Sequence, residues 1–202
     1  MKVGKKVILA SNSPRRKLLL GGLDLDFEVR VIDDIDESYP EGLEPKSIAE
    51  YIAKKKADAY KQTMNADELI ITADTIVVLG NKILGKPADE KEAKKMLGRL
   101  SGKTHQVITG VCMLTAESEK VFSVTTDVTF RKLFTQEITH YVKNFRPFDK
   151  AGAYGIQEWI GHVGVTSIKG SYFNVMGLPV QRIYKELKNM NRADGSNDLN
   201  GG

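Results

Sequence analysis

The segment Leu69–Leu79 is the feature that most limits the folds available to this chain. Apolar residues occupy both alternating faces of this run, which is typical of a central strand covered by helices on both sides. Asp74 interrupts the run, and burying an unpaired carboxylate costs several kcal/mol. We therefore expect an α/β fold with a mixed sheet flanked by helices. Asp74 either accepts backbone hydrogen bonds or faces a cleft, where it could bind a metal or activate water.

Hydrophobic periodicity and turn residues divide the rest of the chain into further strands and helices. Strands are predicted at residues 7–10, 27–32, 82–84, 107–115, 120–131 and 163–168. Helices are predicted at residues 14–20, 45–64, 89–100, 135–144 and 177–190, with Asp89 and Thr135 as caps of the third and fourth. Residues 1–190 are expected to form one domain. Asp, Asn, Ser and Gly dominate residues 191–202, which are predicted to be a disordered tail.

The composition excludes several classes of protein. The net charge of +4 over 202 residues is too small to indicate nucleic-acid binding by itself. Cys112 is the only cysteine, which excludes an internal disulfide and is consistent with a reducing compartment. No apolar stretch approaches the length of a membrane span, and the apolar run before Ser11 is too short for a signal peptide. The sequence therefore predicts a cytoplasmic protein.

The predicted first strand is followed by Ser11-Asn12-Ser13-Pro14-Arg15-Arg16. Ser13 is a favourable N-cap and Pro14 suits the first helical position, so both arginines lie in the first helical turn. The helix dipole disfavours cations there by a few tenths of a kcal/mol each. This placement is explained if the two arginines bind an anion, for which phosphate is the usual candidate. The alternative is that both side chains are solvated.

Two lysines also depart from their local patterns. Lys56 lies near the centre of the apolar face of the predicted 45–64 helix, between Ile52 and Tyr60. Its ammonium group either extends past the core to solvent or points into a pocket that binds an anion. Lys86 lies in a segment close to a phosphate-binding loop, but Pro87 replaces the hydroxyl residue that would bind Mg²⁺. Lys86 alone is therefore a weak indication of phosphate binding.

Two loops could contribute to a site. In Asp149–Gln157, glycines flank a tyrosine and permit close approach of a ligand, while Gln157 could hydrogen-bond the edge of a base. In the acidic loop around Glu37 most carboxylates are expected to be solvated, although one could reach a metal. The three histidines lack a zinc-binding spacing and are predicted to be structural or exposed. Cys112 is predicted to be an inert core thiol.

Six segments match motifs of one known family, in the order in which that family carries them. They are Leu9–Arg16, Ala73–Thr75, Gly85–Pro87, Leu100–Gly110, Asp149–Gln157 and Gly177–Pro179. Together they resemble the Maf family of nucleoside triphosphate pyrophosphatases from about residue 6 to 190. The resemblance implies an elongated α/β fold similar to inosine triphosphate pyrophosphatase, commonly a homodimer, with Mg²⁺ or Mn²⁺ as cofactor. It implies hydrolysis between the α and β phosphates, giving a monophosphate and diphosphate in a house-cleaning role.

The resemblance also implies roles for individual residues. Asp74 matches the proton acceptor and, with Glu37, is expected to bind the divalent cation. Three positions associated with substrate choice are similar to those of the dTTP/UTP branch: Arg15, Thr75 and Gln157. Other positions of the pocket are matched by Ser11, Arg16, Glu37, Lys56 and Lys86. The expected substrate is dTTP, UTP or a modified pyrimidine nucleotide.

Two other functions are compatible with parts of the sequence. A nucleic-acid-binding module could use the basic first helix and Lys54-Lys55-Lys56, although Lys56 points away from Lys54 on a helical wheel and aromatic stacking residues are few. A regulator of cell division could bind nucleotides with hydrolysis incidental. The pyrophosphatase interpretation predicts a small-molecule nucleoside triphosphate as partner, with no stable nucleic-acid complex and no membrane.

Overall fold

The structure is a computed structural model and describes residues 3–193. Its strands are β1 (Lys6–Leu9), β2 (Phe27–Val29), β3 (Glu68–Leu79), β4 (Lys82–Leu84), β5 (Thr104–Leu114), β6 (Glu119–Phe130) and β7 (Val165–Lys169). Its helices are α1 (Pro14–Gly21), α2 (Pro45–Asp58), α3 (Glu90–Leu100), α4 (Thr135–Phe145), α5 (Trp159–Gly164), α6 (Tyr172–Met176) and α7 (Val180–Ala193). A single 3₁₀ turn covers Ala151–Ala153.

The strands of the described residues form one mixed sheet in the order β2-β1-β3-β5-β6-β7, and β4 also pairs with β3. Strand β1 runs parallel to both β2 and β3, whereas the pairs β3–β4, β3–β5, β5–β6 and β6–β7 are antiparallel. Antiparallel neighbours can be joined by tight turns, and β3 and β4 are joined at Gly80-Asn81 as predicted. The predicted mixed sheet flanked by helices is confirmed.

The central strand β3 has an interrupted edge. Strand β5 pairs with one side of β3 over residues 70–78. On the other side β1 pairs with β3 only as far as Ile71, and the pairing of β4 with β3 begins at Val77. Within residues 3–193, no strand pairs with this side of β3 between those two positions, so the sheet has a gap there. Asp74 and Thr75 lie in this gap, and this position explains why they are less buried than their neighbours.

Helix α2 packs closely on one face of the sheet beside this gap. Its apolar residues Ile48, Ile52 and Ala53 are nearly or fully buried. Gly110 of β5 pairs with Asp74 and allows the close approach, because a Cβ there would lie 2.2 Å from the Ala49 carbonyl oxygen. On the opposite face, α1, α3, α4 and α7 pack into the largest apolar cluster. Full burial of one large aliphatic side chain stabilises the fold by about 1.5–3 kcal/mol.

Several predicted boundaries were wrong. Strand β2 ends at Val29 rather than at residue 32, and α2 ends at Asp58 rather than at residue 64. The chain then turns, and the Tyr60 N–H donates to the Ala57 carbonyl oxygen instead of continuing the α-helical ladder. Residues 163 and 164 belong to α5, so the predicted 163–168 strand begins at Val165. The sequence did not indicate the short helices α5 and α6.

Two chain-end and capping expectations also need correction. Phe134, not Thr135, is the N-cap of α4, because the Glu137 carboxylate accepts the free backbone N–H of Phe134 at 2.8 Å. Helix α7 continues to Ala193, so the first three residues of the predicted 191–202 tail are helical. The other residues of that predicted tail lie outside the described part of the chain. Within residues 3–193, every helix is too short or too polar to span a lipid bilayer.

Candidate active site

A cleft with a volume of about 530 Å³ opens at the gap in the sheet. It is lined by the segment that follows β1, the first turn of α1, the middle of β3 and the loops around residues 31–37 and 149–157. All nine side chains assigned to the site from the sequence line it: Ser11, Arg15, Arg16, Glu37, Lys56, Asp74, Thr75, Lys86 and Gln157. Residues far apart in the chain are thus brought to one opening. Clefts at the carboxyl ends of parallel strands, such as β1 here, are common ligand sites in α/β proteins.

The first turn of α1 directs Arg16 into the cleft. The Ser13 hydroxyl accepts a hydrogen bond from the Arg16 N–H, as the predicted N-cap requires. The guanidinium group donates to the Gly177 carbonyl oxygen at 2.9 Å and to the Thr75 hydroxyl at 3.2 Å. It also lies 3.5 Å from the Ser11 hydroxyl. Burial lowers the pKa of Arg16, and the Asp74 carboxylate opposes this effect. Arg16 is therefore held in place at the gap.

Arg15 lies in the same turn and forms an ion pair across the cleft. Its Nη1 atom lies 2.9 Å from Asp149 Oδ2, and its side chain is 25% exposed. Asp149 also contacts the Lys150 ammonium at 2.7 Å. Burial alone would raise the pKa of Asp149, but hydrogen bonds from Lys150 and Arg15 hold it at about 2. Both arginines have protein partners, so the alternative of two solvated side chains is wrong.

Asp74 and Lys56 face each other between β3 and α2. The Lys56 Nζ atom lies 2.8 Å from Asp74 Oδ1 and 2.8 Å from Glu37 Oε1. The side chains of Lys56 and Asp74 are only 15% and 14% exposed, so the ammonium group points into the cleft. Burial opposes ionisation of Glu37, yet hydrogen bonding to Lys56 and the charges of Lys86 and Arg16 lower its pKa. The alternative in which Lys56 extends to solvent is wrong.

The two carboxylates are suited to a divalent cation that arrives with a phosphate ligand. Asp74 and Glu37 converge on one ammonium group, and carboxylate oxygens are ligands that Mg²⁺ prefers. Within residues 3–193, no group of three or more His, Cys, Asp or Glu side chains is arranged to bind a metal. Mg²⁺ is commonly bound through one or two carboxylates together with substrate phosphates. The donor set fits that mode of binding.

Thr75 and Gln157 also line the cleft. The Thr75 hydroxyl is 3.0 Å from that of Thr109, which donates to the Asn174 carbonyl oxygen at 3.1 Å. The Gln157 Oε1 atom is buried and has no hydrogen-bond partner among residues 3–193. A buried polar atom without a partner costs free energy, so this oxygen is suited to accept a hydrogen bond from a ligand.

Sequence reasoning gave no individual role to three other residues of the cleft. Lys150 is 9% exposed and adds a cation beside Arg15. The Tyr60 hydroxyl donates to the Arg30 carbonyl oxygen at 2.9 Å and accepts from the Ile32 N–H at 3.0 Å. Tyr154 contacts His105, as described below. Lys150 lies next to Asp149 in a motif that matches the family, and this position could have indicated a role in the site. The sequence pattern around Tyr60 indicated only a core residue.

The buried histidine and cysteine have structural roles. The His105 Nε2 atom is 2.7 Å from the Tyr154 hydroxyl, and burial lowers the pKa of His105 to about 4. Cys112 is fully buried in β5, and burial raises the pKa of its thiol to about 12. Both groups are therefore neutral at pH 7, and the predictions of a structural histidine and an inert thiol are confirmed.

The three consecutive lysines of α2 do not form one basic surface. Lys54 lies 2.6 Å from Glu119, and Lys55 lies 2.6 Å from Asp36. Lys56 points into the cleft. Carboxylates therefore compensate each of these charges locally. A phosphate backbone is bound by cations that are free to displace counterions, so this arrangement gives no support to nucleic-acid binding.

Comparison with known proteins agrees with this geometry. The family model described as Maf-like protein matches residues 6–190. A dTTP/UTP pyrophosphatase of Phocaeicola vulgatus is 58% identical over 185 residues, covering 92% of this chain and 96% of that protein. A dTTP/UTP pyrophosphatase of Parabacteroides distasonis is 59% identical over 183 residues, covering 91% of this chain and 95% of that protein. The Ham1 protein of Staphylococcus aureus shares the fold, with a TM-score of 0.52 at 17% identity over 92% of this chain and 99% of that chain. This chain belongs to the Maf-like protein family.

Proposed function

We propose that this protein hydrolyses dTTP, UTP and modified pyrimidine triphosphates between the α and β phosphates, in a house-cleaning role. The products are the nucleoside monophosphate and inorganic pyrophosphate. One observation carries the proposal: Asp74 shares a single cleft with Arg15, Arg16, Lys56 and Lys86. The names of the Phocaeicola and Parabacteroides relatives, which are identical to this chain at more than half of the aligned positions, support it.

The cations would bind the triphosphate. A triphosphate carries several negative charges, and preorganised arginine and lysine groups stabilise the charge that develops as phosphorus–oxygen bonds change. Arg16 is fixed by the Gly177 carbonyl and the Thr75 hydroxyl, so its orientation does not depend on the ligand. Arg15 would exchange or share its Asp149 partner when phosphate binds. Lys86 is exposed at the rim and would contact the outer phosphates.

Asp74 would act as the base. Its carboxylate is held by Lys56 at 2.8 Å on a rigid central strand, which suits the orientation of a water molecule. Water would form a bond to the α phosphorus while the bond to the oxygen that bridges to the β phosphorus breaks. The proton of the water passes to the Asp74 carboxylate, and pyrophosphate leaves. Lys56 and Arg16 would stabilise the negative charge on the oxygens that surround the reacting phosphorus.

Asp74 and Glu37 would also hold a divalent cation, Mg²⁺ or Mn²⁺. When bound, this cation would supply positive charge that stabilises the phosphate oxygens and favours ionisation of a nearby water. Glu37 is suited to this role because its lowered pKa keeps the carboxylate charged at neutral pH. Lys56 would then give up part of its contact with the two carboxylates and approach the phosphates instead.

Thr75 and Gln157 would select the pyrimidine by hydrogen bonding. A site whose buried polar groups require partners rejects analogues that leave them unpaired. The buried Gln157 Oε1 atom is such a group. We also propose that the protein works in the cytoplasm as a homodimer. The single buried cysteine is consistent with a reducing compartment.

A panel of canonical and modified nucleoside triphosphates with Mg²⁺ tests the proposal. Pyrophosphate and orthophosphate should be measured separately, because they distinguish cleavage after the α phosphate from cleavage of the terminal phosphate. We expect pyrophosphate from dTTP and UTP, with lower kcat/KM for purine nucleotides and CTP. Release of orthophosphate alone, or equal rates for all bases, would contradict the proposal.

A further inference from the structure

A connected series of polar contacts lies behind the turn Gly155–Glu158, which carries Gln157. Tyr141 of α4 is fully buried, and its hydroxyl accepts a hydrogen bond from the Gly155 N–H at 3.0 Å. The same hydroxyl donates to the Glu158 carboxylate. The Glu158 N–H in turn donates to the Gly155 carbonyl oxygen at 3.0 Å. One phenol group therefore contacts both ends of the turn.

The Tyr141 hydroxyl is suited to this dual role. Burial and its hydrogen bond to the Glu158 carboxylate raise the pKa of Tyr141, so the hydroxyl remains protonated and donates. A phenylalanine would fill the same space but would leave the Gly155 N–H and one Glu158 oxygen without this partner. Loss of a partner to a buried polar group costs more than the hydrogen bond itself contributes. The turn would therefore move to recover hydrogen bonds.

Glu158 extends the series toward the proposed phosphate side of the cleft. Its Oε1 atom lies 3.1 Å from Lys150 Nζ, which lies 2.7 Å from Asp149 Oδ1. The other oxygen of Asp149 contacts Arg15 at 2.9 Å. The side chains of Lys150 and Glu158 are 10% and 20% exposed, so their interaction is less screened than that of a surface pair. The turn is thus connected to a cation of the proposed phosphate site.

The turn brings the side chains of Gln157 and Glu158 together at Gly155. A Cβ on Gly155 would lie 2.8 Å from Glu158 Cδ and 3.0 Å from Gln157 Nε2, so both side chains pass close to the Gly155 Cα atom. A shift of Glu158 would therefore change the space available to the Gln157 amide. The position of that amide decides which polar group of a base it can meet, because its oxygen accepts and its nitrogen donates.

We propose that Tyr141 and Glu158 are positioning residues that set the nucleobase discrimination of the cleft by fixing the turn that presents Gln157. This inference rests on the proposed function. Neither residue touches the reacting atoms, so their loss should alter the choice of base more than the chemical step. Tyr141→Phe should lower the ratio of kcat/KM for dTTP to that for CTP about tenfold, mainly through KM.

A double-mutant cycle separates positioning from a general structural effect. The ratio of kcat/KM for dTTP to that for CTP is measured for wild type, Tyr141→Phe, Gln157→Ala and the double variant, with thermal unfolding followed by circular dichroism. Residues that act through one another give non-additive effects. Tyr184→Phe is the matched control, because Tyr184 is an exposed tyrosine on α7 that does not line the cleft. We expect no change in its discrimination ratio.

The inference predicts that Tyr141→Phe lowers the discrimination ratio in wild type but changes it less than about twofold when Gln157 is already alanine. An unchanged ratio in Tyr141→Phe, or an equal drop in both backgrounds, would overturn it. If Tyr141→Phe does not fold, Glu158→Gln replaces it in the cycle with the same two outcomes. The wild-type protein is assayed first. If it releases no pyrophosphate from any triphosphate, that result contradicts the proposed function rather than this inference.

Discussion

Asp74 and Lys56 show how two charges are accommodated between apolar surfaces. Each would be costly to bury alone, and removing one partner of a buried pair leaves an uncompensated charge. Here they lie 2.8 Å apart, and Lys56 also contacts Glu37 at the same distance. The two carboxylates share one ammonium group, so this cluster carries one net negative charge before any ligand binds. A divalent cation would compensate that charge, and the triphosphate would bring the opposite charge with it.

Asp74→Asn tests the proposed base at the scale of one residue. The amide has nearly the same shape but cannot accept a proton, so we expect kcat to fall about 10²- to 10⁴-fold. Circular dichroism and thermal unfolding should remain near those of wild type, because Lys56 keeps Glu37 as a partner. Asp36→Asn is the control, since Asp36 pairs with Lys55 on the surface and does not line the cleft. Activity of Asp74→Asn close to wild type would contradict the role of Asp74.

Glu68→Gln tests a buried charge away from the cleft. Glu68 is fully buried, and its hydrogen bond to Arg30 lowers its pKa to about 2. A lowered folded-state pKa stabilises the protein above the unfolded pKa of about 4.5, and this contribution is lost as pH falls toward 2. We expect the free energy of unfolding of Glu68→Gln at pH 7 to be about 1–3 kcal/mol lower than that of wild type.

Urea unfolding at pH 7, 4 and 3 measures this difference. The free energies of unfolding of wild type and Glu68→Gln should approach each other as the pH falls. Glu28→Gln is the control, because Glu28 forms an exposed pair with Lys6 and should contribute little at any pH. A difference between Glu68→Gln and wild type that is constant from pH 7 to 3 would show that the ion pair with Arg30 is not its source.

At the scale of elements, the distance between α2 and β5 sets the geometry of the cleft. Gly110 pairs with Asp74 and touches the Ala49 backbone, while Lys56 lies two turns further along the same helix. The side chain that contacts Asp74 therefore depends on a close approach that only glycine permits. The packing of α2 on β5 therefore sets the position of the Lys56 ammonium group.

Gly110→Ala should move α2 away from the sheet. Its Cβ would lie 2.2 Å from the Ala49 carbonyl oxygen, so the helix must shift, and overpacking of this kind typically costs about 1–3 kcal/mol. We expect both a lower free energy of unfolding in urea and a lower kcat, because Lys56 moves relative to Asp74. Gly98→Ala in α3 is the control, since a Cβ there meets nothing within 4 Å. Alanine at position 98 should raise the free energy of unfolding by about 0.5–1 kcal/mol. Unchanged stability and kcat in Gly110→Ala would contradict this coupling.

The sequence predicted the long elements better than the short ones. Strand β3, the hairpin at Gly80-Asn81 and the helix after Asp89 each carry a local signal of periodicity, turn chemistry or capping. Helix α5 has six residues, and its Gly161 packs so closely on Ile156 that a Cβ would lie 1.8 Å from the carbonyl oxygen. Residues distant in sequence also stabilise this helix, since the Arg131 guanidinium and backbone N–H donate to the Val163 and Gly164 carbonyl oxygens, so no local pattern predicts it.

At the scale of the whole molecule, the site depends on strand order. Asp74 and Thr75 are accessible because β1 and β4 pair with the same side of β3 and leave a gap between them. Hydrophobic patterns predicted the strands but not this order. The packing anomalies at Arg15, Arg16, Lys56 and Asp74, together with the family resemblance, predicted which side chains meet. They did not predict the partners, such as Asp149 for Arg15 or the Tyr141–Glu158 contact behind Gln157.

Hydrolysis of dTTP in ¹⁸O-labelled water tests the central claim, which is that this cleft directs water to the α phosphorus. The wild-type protein is incubated with dTTP and Mg²⁺, and the products are identified by mass spectrometry. We predict one ¹⁸O atom in the nucleoside monophosphate and none in the pyrophosphate. Label in pyrophosphate or orthophosphate, or a nucleoside diphosphate as product, would contradict the account.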